Sequence, residues 1–348
     1  MPLRPDQQTP PLEADNQATA RNWVRILARY REPNTARSIF ELAVSALPFA
    51  TLAVLAWLSL SVSYWLAFAL AFINGAFLVR LFIIQHDCGH GSFFGNRHAN
   101  NWVGRIIGVF TLTPYKVWRR SHSIHHSASG NLEKRGIGDV YTMTVSEFEA
   151  LPRIKRIAYR IYRHPLFMFG LAPTLLFVFQ NRIPMGLMRS WEYWISALGT
   201  NIFIAAVVGL MFWFGGLAAL FLIFVPTLLV AATAGVWLFY VQHQFENTQW
   251  DMNDDWQLHD AALMGSSYYV LPAVLRWFSG NIGVHHVHHL YSRIPFYRLM
   301  EVLKDNAALE NLNRMTIRES LKCARLHLWD ENNRKLVSFS QARQGLAA

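Results

Sequence analysis

The sequence predicts an all-α integral membrane fold, with four transmembrane helices in two hairpins and a cytoplasmic helical cap rich in histidine. Three observations carry that expectation. Hydrophobic residues make up 53% of the 348 and charged residues only 16%, a balance suited to lipid rather than to an ordinary soluble domain. No Lys or Arg occurs from Ile39 to Val79 or from Ser190 to Leu275, although the chain carries a net charge of +10. Ten of the 14 histidines fall in four short stretches, and the four-span topology places all of these on one face.

Residues 1–17, MPLRPDQQTPPLEADNQ, are polar and proline-rich and lack the order of a signal peptide, so they are expected to be a disordered lead to a single membrane domain over 18–348. In RNWVRILARYR, Trp23, Leu27 and Tyr30 recur at helical spacing beside Arg21, Arg25, Arg29 and Arg31, the pattern of a basic helix on a membrane surface, with a solvated amphipathic helix against a protein neighbour as the alternative. Ile39 to Leu60 is apolar apart from Glu41 and a few hydroxyl residues, and is long enough to cross a hydrocarbon core. The turn SLSVS leads to a second span, Tyr64 to Leu81, which delivers the chain to His86.

The basic segment 82–190, with Arg105, Lys116, Arg119, Arg120, Lys134, Arg135, Lys155 and Arg156, stays on the side where it begins. Its apolar runs 101–112 and 166–179 are too short to cross unaided and are expected to be interfacial or re-entrant. Trp194 to Phe214 and Leu217 to Val241 form the second hairpin around Gly215-Gly216. Pro48 and Pro226 are kinks that neighbouring helices tolerate. The positive-inside rule makes the basic side, 82–190 and 242–348, cytoplasmic. Beyond Pro295, soluble helices are expected beneath the histidines, with Thr316 and Glu319 as a capping box before an apolar run through Leu321, Leu326 and Trp329.

In HDCGH, His86 and His90 stand four residues apart; in HSIHH, His122, His125 and His126 stand three and four apart; HHVHH repeats this with His285, His288 and His289. Those intervals put imidazoles on one helix face, where they can converge on a metal. His243, in VQHQFE, adds a ninth candidate. Neutral imidazole suits iron, copper and zinc, and nine ligands exceed one ion's needs, so two metals are expected. Cys88 and Cys323 form no disulfide framework and fit a reducing, cytoplasmic face; Cys88 is read as a packing residue, not a ligand.

Zinc has no redox chemistry and takes three or four ligands, and haem needs single histidines on facing spans. No Glu has a His three residues on, as the carboxylate-rich soluble di-iron bundles require. A pair of iron ions held by neutral imidazoles, with positions open to dioxygen, would supply an oxidant able to take hydrogen from an unactivated methylene. The chain has no internal repeat, phosphate loop, nucleophile elbow or zinc-protease motif, and its basic balance fits membrane topology better than nucleic acid.

HDCGH, HSIHH and HHVHH, with the flanking GSFF, SGNLEKRGIGDVYT, VQHQFE and GNIGVHHVHHLYSRIP, closely resemble the membrane-bound fatty acid desaturases, in particular the bacterial acyl-lipid desaturases of the delta-12 and delta-5 type. The resemblance runs from about Gln85 to Leu299. It implies a non-haem di-iron centre, dioxygen as co-substrate, a mushroom-shaped helical membrane fold and a bacterial inner-membrane location. Carried over box by box, it implies as ligands His86 and His90, then His122, His125 and His126, then His285, His288 and His289, with His243 in the place of the extra ligand. One iron is expected to draw on boxes one and two, the other mainly on boxes two and three.

His286 lies off the shared face and is read as a supporting or capping residue. His98, His164, His259 and His327 match no family position and are expected at the surface. Ligand histidines need acceptors for their other nitrogen, and Asp87, Asp139, Glu246 and Asn281 lie near the boxes as candidates, with plain capping or surface placement as the alternative. The expected partners are an acyl lipid and an external, ferredoxin-like electron donor drawn to the basic face. The rival readings are a hydroxylase, alkane monooxygenase, epoxidase or carotenoid ketolase with the same boxes, or a metal sensor or transporter, which would carry its ligands inside the spans.

Overall fold

A computed structural model describes residues 22–345, so the expected lead at 1–17, and Arg21, lie outside the described residues. Helix α1 (Thr35–Ser59) begins where the Asn34 side chain accepts from the Arg37 amide, and α2 (Tyr64–His90) begins where Ser63 does the same for Leu66. α2 does not stop near Leu81, where its apolar run ends, but continues as one unbroken helix through His90. It stops there because Gly91 takes φ +69°, and the amides of Gly91 and Ser92 return to the carbonyls of Cys88 and Asp87. The first histidine box is therefore the last turn of an otherwise apolar helix.

Glu41 of α1 is buried against Arg80 of α2, whose guanidinium also reaches Ser45 Oγ at 3.0 Å and the Trp277 carbonyl. Buried charges persist only when paired, so this cluster fixes α1 to α2 and to the short helix Ala273–Phe278.

α3 (Arg97–Phe110) and α4 (Tyr115–Ala128) follow, then α5 (Arg153–Tyr162), a helical stretch Leu166–Arg182, α6 (Trp191–Ala219) and α7 (Val225–His243). Three stretches are long and apolar enough to cross a membrane, Thr35–Ser59, Tyr64–His90 and Trp191–His243; α5 and Leu166–Arg182 form a further apolar pair bent by 54°. The expected Gly215-Gly216 turn narrows to Gly216 alone, at φ 61° and ψ −157°. Both ends of this long stretch reach α4: Ser196 Oγ accepts from the Lys116 amide at 3.2 Å, and His243 lies 3.2 Å from His125.

Three expectations need correction. The fold is mostly helical but not all-α. Strands β1 (Met143–Thr144), β4 (Leu328–Asp330) and β5 (Lys335–Val337) form one small sheet, with β1–β4 parallel and β4–β5 antiparallel, and β2 (Tyr268–Val270) and β3 (Arg314–Thr316) form a parallel pair. These short extended runs link distant loops whose buried backbone groups have no helix to satisfy them. The Thr316–Glu319 capping box is present, but its helix ends at Cys323, and Trp329 belongs to β4, where it is buried with Leu326, Leu132, Trp250 and Leu336. Among the described residues the basic N-terminal helix covers 22–27, and Leu27 and Tyr30 are buried in the cluster that holds Phe93, Phe296, Leu299 and Leu303 rather than turned outward.

His327 is also not a surface residue: its ring stacks on Phe339 at 4.4 Å. Burial, then Arg163 and Arg160, push its pKa down to about 4. An unfolded chain takes up this proton near pH 6.5 and the folded chain does not, so the contribution to stability is complete above pH 6.5 and is lost as pH falls toward 4. His327→Phe keeps the stack without the titration. Its Tm is expected to drop less between pH 7 and pH 5 than that of the unaltered chain, and an equal drop would contradict the assignment.

Candidate metal centre

Four helices bring the nine expected histidines together. α2 contributes His86 and His90, α4 His122, His125 and His126, α7 its last residue His243, and α8 (His285–Leu290) His285, His288 and His289. They sort into two groups: His86, His90, His122, His126 and His288, and His125, His243, His285 and His289. One ring nitrogen of each member lies within 4.8 Å of the others in its group. Three- and four-residue spacing on α4 and α8 sends successive rings to different groups, so both helices serve both. His288 joins the first group, which therefore takes a member from all three boxes rather than two.

The Nε2 atoms of His90 and His122, of His122 and His126, and of His243 and His285 are 3.0 Å apart. Those of His126 and His288, of His125 and His243, and of His125 and His289 are 3.2 Å apart. Hydrogen bonds cannot satisfy this web, because an Nε2 offers one proton or one lone pair, whereas those of His122, His126, His125 and His243 each face two others. Nitrogens about 3 Å apart are adjacent donors around a metal with bonds of about 2.1 Å, so the residues fit one ion in each group.

Burial, reinforced by the neighbouring rings, holds His122, His126, His285, His288 and His289 well below the ordinary histidine pKa. They stay neutral at physiological pH, with lone pairs free for a metal. Neither group includes a carboxylate or a thiol; Cys88 is buried in the core, as a packing residue should be.

The outward nitrogens identify which supporting residues act. Asp139 meets His125 Nδ1 directly, the Gly265 carbonyl accepts at 3.1 Å from His243 Nδ1, and Asp87 Oδ1 lies 3.4 Å from His86 Nδ1. Asp87 also accepts from the Phe296 amide at 2.7 Å, which locks its carboxylate in place. Glu246 is exposed and contributes only its backbone carbonyl, to Leu336, because its side chain points away where α7 has ended. Asn281, at φ +54°, donates to the Phe296 carbonyl at 3.0 Å and touches no histidine; it steadies the residue that holds Asp87. His286 faces away from both groups and bonds the Leu309 carbonyl at 2.9 Å. His98, His164, His259 and His327 join neither group.

Two aromatic contacts were missed in the sequence. Trp118 stacks on His122 with centroids 4.6 Å apart, and Phe239 lies 5.1 Å from His125 and 5.4 Å from His243. The signal was available, since each aromatic stands four residues before a histidine on its own helix. Gly89 inside the first box belongs to the same arrangement: a Cβ there would come within 2.7 Å of the Trp118 ring.

A carboxylate on the outer nitrogen fixes a ligand's tautomer, so Asp139→Asn is expected to weaken metal retention about 10- to 100-fold, measured by chelator competition on the purified protein. Glu246→Gln is expected to leave it unchanged. Equal retention in both variants would contradict the role given to Asp139.

Comparison with known proteins agrees with this geometry. The family profile described as fatty acid desaturase matches residues 63–319. A "Fatty acid desaturase" of Bacillus subtilis is 42% identical over 313 residues, covering 90% of this chain and 89% of that protein. An "sn-1 acyl-lipid omega-3 desaturase (ferredoxin)" of Synechocystis is 29% identical over 238 residues, covering 65% and 63%. An "Acyl-lipid omega-3 desaturase (cytochrome b5), endoplasmic reticulum" of Arabidopsis thaliana is 28% identical over 279 residues, covering 76% and 67%. With most of its length matched, and with the histidines of all three boxes converging in space, the chain belongs to the fatty acid desaturase family.

Proposed function

We propose that this chain is a membrane acyl-lipid desaturase that places a cis double bond in an acyl chain, with the nine histidines as ligands of two irons. The observation that carries this reading is the pair of adjacent imidazole groups where two apolar helices, Tyr64–His90 and Trp191–His243, end. An iron pair held there supplies the dioxygen-dependent oxidation that an unactivated methylene requires. Overall, one dioxygen, two electrons and two protons are consumed as two vicinal hydrogens leave the acyl chain, giving the alkene and two waters.

The protein's own contribution is positioning. α2 carries His86 and His90 directly out of an apolar helix, so the centre sits where a lipid tail can reach without leaving an apolar environment. Phe82 packs edge-on against Trp118 at 5.5 Å and lies 6.5 Å from Phe177, and together they form an aromatic wall beside the first group, against which the tail would lie and water would be excluded. Asp139 and the Gly265 carbonyl hold His125 and His243 with Nε2 turned inward.

The topology follows the same reading: one domain over 18–348, four spans in two hairpins with the second turning at Gly216, and both histidine groups on the cytoplasmic face of a bacterial inner membrane. In support, both ends of the long stretch Trp191–His243 meet α4, and the two segments with no Lys or Arg contain the apolar stretches 39–59, 64–79 and 191–243. The electron donor is an acidic, ferredoxin-like protein, the type named for the Synechocystis relative, drawn to a chain of net charge +10.

Expression in a host that lacks polyunsaturated lipids is expected to yield acyl chains lighter by two hydrogens. Chains heavier by one oxygen would move the assignment to a hydroxylase or monooxygenase. His125→Ala and His288→Ala are expected to abolish the product, and full activity in either would remove that residue from the ligand set. Turnover with a ferredoxin donor is expected to fall as salt is raised through the range where exposed charges are screened; a rate indifferent to salt would exclude electrostatic docking.

A further inference from the structure

Helix α5 carries an apolar face that the described residues leave largely exposed. Ile154, Ile157 and Ile161 follow at helical spacing and are 80%, 47% and 55% exposed. On the other side, Tyr159 is buried with Phe148, Leu328 and Val337, and the Arg160 guanidinium lies over the rings of Phe148 and Phe339. The isoleucines therefore point away from the module formed by the C-terminal strands. Arg153 is exposed beside them and Lys155 and Arg156 are exposed further round the same helix, and no carboxylate among the described residues forms a salt bridge with these three.

Position supplies the second argument. Just after α5, the Arg163 guanidinium reaches Tyr240 at 3.1 Å and Gln244 at 2.7 Å, where α7 passes from apolar to polar. The chain then bends by 54° into Leu166–Arg182, and the Phe169 carbonyl accepts from Thr233 on α7 at 3.0 Å. Thr233 stands about 15 Å back along the apolar helix from His243, at 1.5 Å per residue. α5 thus lies level with the end of an apolar helix, and the segment that follows it descends along that helix.

We propose that α5 is an in-plane membrane anchor: its isoleucine stripe sinks into an anionic leaflet, and Arg153, Lys155 and Arg156 meet lipid phosphates around it. An amphipathic helix with cations flanking its apolar stripe is suited to that boundary, where the charged heads stay in water while the apolar side enters lipid. Charge complementarity selects an anionic surface over a neutral one.

Cys88 and Cys323 are buried, so a cysteine added at the surface is the reactive one. The full-length protein carrying Ile157→Cys, or Ile154→Cys as a second position, is reconstituted in nanodiscs of phosphatidylcholine with or without phosphatidylglycerol. Labelling by a water-soluble maleimide is timed against Asn332→Cys in an exposed turn. In anionic discs the helix positions are expected to label at least about tenfold more slowly than position 332. Omitting phosphatidylglycerol, or replacing Arg153, Lys155 and Arg156 together by Gln, is expected to remove part of that protection. Equal rates at all positions, or protection indifferent to lipid charge and to the Gln replacements, would overturn the proposal. So would protection that arises only at high protein concentration or on adding acidic ferredoxin, which would assign the stripe to a second copy or to the redox partner. Entry into the discs reports on the spans and the labelling rates report on α5, so the two readings fail separately.

Discussion

The structure depends on a crowd of buried imidazoles that cannot satisfy one another. Their Nε2 atoms gather at 3.0–3.2 Å without a carboxylate or thiol among them, and a ring nitrogen has only one proton or one lone pair to give. Buried polar atoms left unmatched in this number would oppose folding strongly. A cation at each point of convergence would relieve the conflict, and much of the architecture serves to hold the rings at those points. α2 stays helical past its apolar run to present His86 and His90, Gly91 then turns the chain away at once, and α7 ends on His243.

The rings are held from outside as well. Asp139 reaches His125 from a loop that is itself tied down, because the buried Arg163 side chain bonds Tyr141 and Thr142 in that loop, Tyr240 and Gln244 at the end of α7, and the Leu326 carbonyl before β4. One guanidinium thus links the loop supporting His125, the helix carrying His243 and the C-terminal strands. A fully buried cation is tolerated where its donors are met, and here carbonyl, hydroxyl and amide oxygens meet the two terminal nitrogens in place of a carboxylate, leaving only Nε without a partner among the described residues. The membrane side has its own counterpart in Glu41 and Arg80, which join α1 to α2.

Most of the site was legible in the sequence because imidazoles at three- and four-residue intervals have only one economical explanation. The clusters named the rings, and the apolar runs explained why they share a side. What the spacing could not reveal was how the rings divide. His125 lies between His122 and His126 in sequence yet points into the other group, a consequence of helix rotation combined with the crossing of α4 and α8, and only the packed structure fixes that crossing. The supporting residues divide on the same grounds. Asp139 lies well along the chain from His125 and meets it through a loop, whereas Glu246, three residues from His243, turns outward because α7 has ended. Proximity in sequence is a poor guide once the helix stops. The short strands were missed because runs of two or three residues carry no periodicity, and the helical tail was extended too far because the alternation around Leu326 to Trp329 resembles a helical repeat over so short a window.

The central claim is that each of the two histidine groups holds one redox-active iron. Iron quantification and Mössbauer spectroscopy of the purified, full-length protein test it most directly. The account predicts two irons per chain with the signature of a coupled pair, and the loss of that coupled signature in His288→Ala and in His285→Ala, which each open a different group. One ion per chain, a preference for zinc under iron-replete growth, or a coupled signature that survives both substitutions would contradict it.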